Sequence, residues 1–512
     1  MHETILAEKL DACRAALGDL GSARLQGILV GVSGLAVEIA GLTGVTSVGD
    51  RINLATRDGR DSLAEVVGFR SGLARALPFA ASADGLGPGG KATLLSRGGT
   101  LAVAPSWLGR VIDPLGNPLD GRGRLAPGPL PRPVRAPPPA ATKRARLGPR
   151  IDLGVRALDL FTTCRQGQRL GLFAGSGVGK STLLGMLGRR ADCDVAVLAL
   201  VGERGREVRE FIEDELGPDG LKRSVVVVAT SDTSPLLRRQ AAYAAMTIAE
   251  HFRDEGKSVL LMMDSVTRFC LALREIGLAA GEPPATRGYP PSVFAELPRL
   301  LERAGPGHER TDGPAGQITA LFNVLVEGDD HNEPVADAVR GTLDGHLVLD
   351  RRIAEAGRYP AVDVLRSLSR AVPGCNSADE GALTRRARAI LATWADMADL
   401  VRLGAYRPGT DPMVDEAVAL APRIEALLRQ EKFEHSTLAA SFADLSAMLA
   451  PAGPGTINAV TINTGTINTG TINTGTINTG VISAATNNPA TAKPATSQLV
   501  PNRAAPTRAA PT

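Results

Sequence analysis

The sequence predicts an α/β protein whose central domain contains a parallel sheet, with a small β-barrel before it and a helical domain after it. Three observations predict this order. Glycine-punctuated β-branched runs fill residues 22–98, apolar runs alternate with helical segments over residues 151–375, and Ala/Leu/Arg-rich segments fill residues 376–450. Alternating strands and helices are typical of βαβ units that place helices on both faces of a parallel sheet.

The composition is that of an ordinary globular protein, with 44% apolar and 22% charged residues among 512. A net charge of +3 on so long a chain does not indicate general polyanion binding. The five cysteines lack C-x-x-C spacing, and no run of about 18 apolar residues occurs. We therefore expect reduced cysteines and a cytoplasmic protein.

Residues 1–21 predict one amphipathic helix. Its apolar side chains recur at helical spacing, and Gly18 follows as a stop signal. These apolar residues are Ile5, Leu6, Leu10, Cys13 and Leu17. Because a single terminal helix has no core of its own, it either docks on the body of the protein or is offered to a partner.

Short β-branched runs separated by turn residues predict the β-barrel over residues 22–98. Residues 99–150 are expected to be a connector, because the segment after Asp113 is too rich in proline for the interior of a helix or sheet. Residues 451–512 contain tandem TINTG repeats and no acidic residue. We expect this low-complexity tail to be disordered.

Four apolar runs predict buried strands in the central domain, because a strand covered by helices on both faces has no polar side. They are residues 194–201, 225–230, 258–263 and 317–326. Residues 236–255 form the clearest helical segment between them. In the C-terminal domain, residues 407–409 (RPG) and the pair Ala421-Pro422 predict turns between helices.

A glycine-rich turn between an apolar strand and a helix carries the strongest functional signal. Glycines allow the backbone N–H groups to surround phosphate oxygens, and the following helix N-terminus favours negative charge. The expected phosphate-binding residues are Gly175, Ser176, Gly177, Val178, Gly179, Lys180, Ser181 and Thr182. Lys180 is expected to reach the β- and γ-phosphates and Ser181 to bind Mg²⁺, although Ala174 replaces the first glycine of the G-x-x-x-x-G-K-[ST] pattern.

Acidic residues follow two further predicted strands. Asp264 ends an apolar run and suits a second Mg²⁺ ligand. Glu203 follows the strand after the phosphate-loop helix, so it is expected at the same carboxyl edge of the sheet. There it would orient or polarise the attacking water. On sequence grounds alone, Glu207 competes for this role.

Together these segments resemble the catalytic subunits of rotary F- and V-type ATPases and, more closely, the ATPases of flagellar and injectisome type III protein export. The flagellar members look most similar, and the resemblance runs from about residue 24 to about residue 449. It rests on GRVIDPLGNPLDG, FAGSGVGKSTLLGML, VGERGREVREF, VLLMMDSVTRF, GYPPSVFAELPRLLERAG, VLVEGDDHNEPVAD and RYPAVDVLRSLSR. It implies a RecA-like P-loop ATPase core between the barrel and the helical domain, assembled as a homo-hexameric ring.

The resemblance also implies residue roles. Glu203 matches the catalytic carboxylate, and Arg204 matches the arginine beside it. Tyr359 matches the aromatic residue that stacks on adenine. Arg370 matches the arginine finger that reaches the γ-phosphate bound to the adjacent subunit, a role that stabilises the charge of the transition state.

By the same resemblance, the expected activity is hydrolysis of ATP with Mg²⁺ to energise flagellar export, through unfolding or chaperone release and delivery of export substrates. The implied partners are a stator-like ATPase regulator at the N-terminal helix, export chaperone–substrate complexes and the inner-membrane export gate. The chain would then be cytoplasmic and peripherally associated with the inner-membrane export apparatus.

Four other functions agree with the sequence to different degrees. An injectisome ATPase has the same chemistry with different cargo and stays open. A rotary ATP synthase subunit is disfavoured, because residues 403–409 are not acidic where that family carries an acidic loop, and Glu203 disfavours a non-hydrolysing subunit. An RNA-translocating hexamer would need several stacking aromatics in the barrel, which contains only Phe69 and Phe79, so we expect no nucleic acid partner.

Overall fold

A closed six-stranded barrel forms the N-terminal part of the described chain. The computed structural model describes residues 24–311, 313–326 and 333–450, so the expectations for residues 1–21 and 451–512 lie outside these ranges. The barrel strands are β1 Gln26–Ser33, β2 Ala36–Ala40, β3 Arg51–Ala55, β4 Asp61–Arg70, β5 Leu73–Pro78 and β6 Lys91–Ser96. They pair in the order β1-β2-β5-β4-β3-β6, and β6 returns to β1.

A nine-stranded sheet forms the centre of the molecule. Its strands are β8 Arg110–Ile112, β12 Arg169–Ala174, β13 Val195–Glu203, β14 Ser224–Thr230, β15 Ser258–Asp264, β16 Gly305–Pro306, β17 Gln317–Leu325, β18 Gly345–Leu349 and β19 Leu368–Ser369. The order is β19-β18-β12-β17-β15-β13-β14-β8, and β16 pairs with β17. All pairs are parallel except those of β16 and β19. The predicted fold class is therefore confirmed.

Helices cover both faces of this sheet. The helices of the described chain are α1 Arg156–Phe161, α2 Lys180–Arg190, α3 Gly205–Glu210, α4 Gly217–Lys222, α5 Pro235–Asp254, α6 Val266–Ala280, α7 Pro291–Leu301, α8 Pro334–Thr342, α9 Arg351–Glu355, α10 Ala378–Arg402, α11 Pro412–Leu428 and α12 Leu438–Leu449. A π-helical turn spans Phe211–Leu216, and 3-10 turns span Pro105–Trp107, Ala141–Lys143 and Thr286–Gly288. Among the described residues, no helix combines the length and apolar character that a membrane span requires.

Strand β13 illustrates why the buried strands read as continuous apolar runs. Val197 and Ala199 enter one hydrophobic cluster, whereas Ala196 and Leu198 enter another on the opposite face of the sheet. Since successive side chains of a strand point to opposite faces, a strand with two buried faces needs an apolar residue at every position.

The segment expected to be a connector contributes four short strands, β7 Thr100–Leu101, β8, β9 Arg132–Pro133 and β10 Arg150–Ile151. β8 is hydrogen-bonded to β14 and extends the central sheet at its edge. β9 pairs with β7, and β10 pairs with β11 Cys164–Arg165. Proline can occur in such short edge strands, because the N–H group that it lacks is not needed for pairing with a second neighbouring strand.

The C-terminal domain contains α10, α11 and α12, and the predicted turn at residues 407–409 falls between α10 and α11. The turn predicted at Ala421-Pro422 is wrong, because Pro422 lies inside α11. Proline costs this helix one backbone hydrogen bond. The face formed by Ala417, Ala421 and Ile424 is fully buried, so packing outweighs that loss.

A buried ion pair joins the barrel to the central domain. One Nη atom of Arg239 on α5 donates to both carboxylate oxygens of Glu65 on β4 at 2.7 Å, and each side chain is only 4% exposed. Glu65→Ala leaves the Arg239 guanidinium buried without its carboxylate. We expect this variant to lose about 3–5 kcal/mol of unfolding free energy.

Guanidinium denaturation of wild type and variant, followed side by side, measures this loss. Asp399→Ala is the matched control, because it removes an exposed carboxylate that pairs with Arg402 at the surface. A Glu65→Ala midpoint equal to that of the control would show that this contact contributes nothing to stability.

Candidate active site

The phosphate loop lies at the carboxyl edge of the central sheet, between β12 and α2. Gly177 and Gly179 have φ angles of 78° and 84°, in the left-handed region that glycine adopts without strain. Lys180 and Ser181 are the first residues of α2. Free N–H groups of this helix end, together with the loop amides, suit an anionic phosphate.

Gly179 also forms part of a contact with Tyr359. A Cβ atom added at Gly179 would lie 3.2 Å from two carbon atoms of the Tyr359 ring. Tyr359 is 43% exposed, so part of its ring remains available for stacking. The structure thus places the expected adenine-stacking residue against the phosphate loop.

Three charged side chains meet beside the loop. Lys180 Nζ lies 2.8 Å from Asp264 Oδ1 and 3.5 Å from Glu203 Oε1. Asn323 on β17 donates its amide N–H to the same Asp264 oxygen at 2.5 Å. Strands β12, β15 and β13 thus bring together Lys180, Asp264 and Glu203, as the sheet-edge argument predicts.

A bulge at the end of β13 directs Glu203 into the site. The register with β14 shifts between Val201 and Glu203, and Gly202 between them has a φ of 72°. A Cβ atom at Gly202 would lie 3.0 Å from the side chain of Arg268. Bulges of this kind commonly re-aim a side chain at an active site.

The environment of Glu203 changes its acidity. Burial, followed by the negative charge of Asp264, raises the pKa of Glu203 to about 7, against the opposing effect of Lys180 and Arg268. Burial alone would lower the pKa of Lys180, but Asp264 and Glu203 together raise it. Lys180 therefore stays charged while Glu203 titrates near neutral pH, where a proton acceptor is most effective.

We expect kcat/KM for ATP to fall about tenfold per pH unit as the pH drops below about 7, because only the deprotonated Glu203 can accept a proton. Steady-state rates across this range measure the profile. Reassaying each sample after its return to the starting pH separates titration from unfolding. A kcat/KM that stays level well below neutral pH would contradict the role assigned to Glu203.

Two adjoining cavities surround the loop. The first, the phosphate cavity, encloses 620 Å³ and is lined by the loop together with Glu203, Arg268 and other polar groups. The second, the base cavity, encloses 330 Å³ beside Tyr359 and Gln430. Both are lined by Gly179 and Thr182, so a nucleotide could place its phosphates in one and its base in the other.

Three other predicted site residues, Thr182, Arg204 and Ser181, line the phosphate cavity. Thr182 donates to Glu215 at 3.2 Å, and Arg204 pairs with Glu207 at 3.3 Å at the mouth of the phosphate cavity. Ser181 is exposed to the same cavity. Glu207 is more exposed than Glu203 and does not contact Lys180, so the geometry favours Glu203 as the carboxylate nearest the phosphates.

Arg370 lies away from the phosphate loop of its own chain. It is exposed and follows β19, and its backbone N–H donates to the carbonyl oxygen of Asp344, the residue before β18. The loop begins at the opposite end of β12, roughly 17 Å farther along at about 3.3 Å per residue. The Arg370 side chain therefore does not reach the phosphate loop of its own chain.

Three residues of the site, Asn323, Arg268 and Gln430, were not predicted from the sequence. Asn323 was visible as a polar residue inside the apolar strand QITALFNVL. Arg268 lies in the first turn of α6, four residues after Asp264, and lines the phosphate cavity. Gln430, whose backbone N–H donates to the Tyr359 carbonyl at 2.9 Å, carries no local signal, because it reaches the base cavity only through tertiary packing.

Known protein families match much of the described chain. Residues 154–369 match the nucleotide-binding domain of the ATP synthase alpha/beta family, and residues 377–447 match the T3SS EscN ATPase C-terminal domain. Over 436 residues the chain is 52% identical to the flagellum-specific ATP synthase of Caulobacter vibrioides, covering 85% of this chain and 98% of that protein. The chain belongs to the family of flagellar and type III secretion ATPases.

Its other relatives span both branches of this family. The type 3 secretion system ATPase of Xanthomonas euvesicatoria is 49% identical over 415 residues, covering 81% of this chain and 92% of that protein. The assembled ATPase EscN of the enteropathogenic E. coli type III secretion system has a TM-score of 0.75 and 39% identity, covering 83% of this chain and 100% of EscN. EscN is also known in complex with its central stalk EscO. The chain is accordingly an ATP hydrolase of type III protein export.

Proposed function

We propose that this chain hydrolyses ATP with Mg²⁺ to energise export of flagellar proteins. The observation that carries the proposal is the meeting of Lys180, Asp264 and Glu203 beside a phosphate loop. On ATP binding, Lys180 turns from the two carboxylates toward the β- and γ-phosphates. Glu203 then orients the attacking water and accepts its proton.

The residues present fit Mg²⁺. Ser181 and Asp264 offer the hard oxygen ligands that this ion prefers. Within the described ranges no group of three or more His, Cys, Asp or Glu side chains could hold a metal ion, so the remaining ligands would be phosphate oxygens and water. Bound Mg²⁺ would neutralise charge that develops on the phosphoryl oxygens.

We further propose that the working form is a ring, with six subunits as the expected number. Arg370 cannot complete the site of its own chain, so a neighbouring subunit has to supply it. EscN, similar to this chain along its whole length, is described as assembled, which supports the same arrangement here.

The proposed partners follow from the family. A stator-like regulator would bind the N-terminal helix, chaperone–substrate complexes would deliver cargo, and contact with the export gate would hold the cytoplasmic ring at the inner membrane. The flagellum-specific relative is 52% identical and the type 3 secretion system relative 49%, and this small margin favours flagellar cargo. We propose no nucleic acid partner.

Deleting the gene in the organism that encodes it tests the cargo. We expect loss of motility and of secreted flagellar proteins, restored by the wild-type gene and not by Lys180→Ala. Motility that persists while another secreted set of proteins disappears would instead establish the injectisome function. Co-purification with a membrane rotor would establish a rotary ATP synthase.

A further inference from the structure

The Arg351 guanidinium lines the phosphate cavity and takes no part in the proposed catalytic steps. In the sheet, Leu349 at the end of β18 pairs with Ala174 at the end of β12. Two residues beyond these strand ends lie Arg351, the first residue of α9, and Ser176, in the phosphate loop. Its Nη2 atom donates to the Ser176 carbonyl oxygen at 3.4 Å, and the side chain lines the phosphate cavity.

The position of Arg351 is fixed by its neighbours. Asp350 caps α9 by accepting the backbone N–H groups of Arg352 at 2.8 Å and Ile353 at 3.4 Å. The other oxygen of Asp350 lies 3.4 Å from Arg366. The Asp350 carboxylate therefore bonds to groups other than the Arg351 side chain. Arg351 is the first residue of α9, and this helix keeps it beside the phosphate loop.

Arg351 differs in its charged neighbours from two other cations that line the phosphate cavity, Lys180 and Arg204. Lys180 lies between two carboxylates, and Arg204 pairs with Glu207. In the described part of the chain, Arg351 forms no ion pair with a carboxylate, and its contact with the Ser176 carbonyl is long. A guanidinium so placed retains donors for an incoming anion, and its planar fork suits phosphate oxygens.

We infer that Arg351 is a phosphate-binding residue that exchanges the Ser176 carbonyl for the polyphosphate of a nucleotide bound in the same subunit. This inference rests on the proposed binding of ATP at the phosphate loop. The role inferred for Arg351 differs from that of Arg370, because Arg351 lines the phosphate cavity of its own chain. The ligand class is a nucleoside di- or triphosphate, because the contact is made to phosphate rather than to the base.

Equilibrium binding of fluorescent ATP and ADP analogues to the full chain tests this inference, with variants that separate charge from hydrogen bonding. Arg351→Lys keeps the charge, whereas Arg351→Gln keeps an N–H donor for the Ser176 carbonyl and removes the charge. We expect Arg351→Gln and Arg351→Ala to weaken binding of both nucleotides about tenfold and Arg351→Lys to retain most of the affinity. Arg352→Ala, an exposed neighbour on α9, should bind like wild type.

Salt dependence provides a second readout that a purely structural role would not move. Wild-type affinity should fall more steeply with ionic strength than that of Arg351→Gln. If Arg351→Gln bound nucleotide with wild-type affinity, the inference would be wrong and Arg351 would only stabilise the loop. Equal affinity in all variants would contradict the inference in the same way. Failure of wild type itself to bind nucleotide would instead overturn the proposed function.

Discussion

Glu203→Gln is expected to lower kcat for ATP hydrolysis by about 10³-fold while ATP still binds, because an amide cannot accept the proton of the attacking water. Burial and the charge of Asp264 raise the pKa of Glu203 to about 7, so the wild-type carboxylate is a competent acceptor at neutral pH. The amide preserves the size of the side chain and removes one negative charge beside Lys180. ATP affinity should therefore stay the same or increase.

Steady-state turnover and equilibrium binding, measured on the same preparation, separate the two effects. Glu207→Gln is the matched control, because Glu207 also lines the phosphate cavity but pairs with Arg204 instead of Lys180. We expect a much smaller loss of kcat in this control. The assignment of the catalytic carboxylate would be wrong if Glu207→Gln lost turnover and Glu203→Gln kept it.

Arg370→Ala is expected to lower kcat by about 10³-fold or more, the range in which an arginine finger acts on phosphoryl transfer. The side chain lies at the opposite sheet edge from the phosphate loop of its own chain, so nucleotide affinity of the isolated subunit should not change. The rate per subunit of the wild type should also rise with protein concentration, because dilution separates neighbours.

Turnover as a function of protein concentration, for wild type and variant, measures both effects. Arg402→Ala removes another exposed arginine, from a surface pair in the C-terminal domain, and should keep the wild-type profile. Full activity of dilute wild-type monomers would contradict a shared site, and so would an unchanged rate in Arg370→Ala.

The buried parts of this fold were the easiest to predict from the sequence. β13 and β15 are buried on both faces, so their sequences contain little but apolar residues, and the predicted ranges 194–201 and 258–263 end within two residues of the observed strands. The phosphate loop was equally clear, since its function fixes the order of glycines, lysine and serine. In both cases the local sequence and the tertiary environment favour the same structure.

The remaining features depend on contacts between distant segments. β8 is three residues long and becomes a strand only by pairing with β14, and Pro422 remains helical because α11 packs by a buried face. The choice between Glu203 and Glu207 needed the bulge at Gly202, which local sequence does not reveal. Arg351 reaches the phosphate cavity through the pairing of β18 with β12.

Mixing the two inactive variants tests the central claim, a catalytic site shared between subunits, most directly. When Glu203→Gln and Arg370→Ala subunits assemble together, some interfaces combine an intact Glu203 from one subunit with an intact Arg370 from its neighbour. We predict that ATPase activity returns on mixing and depends on the ratio of the two variants. If the mixture stays as inactive as its components, while both variants bind ATP and assemble, the two residues do not act at one shared site.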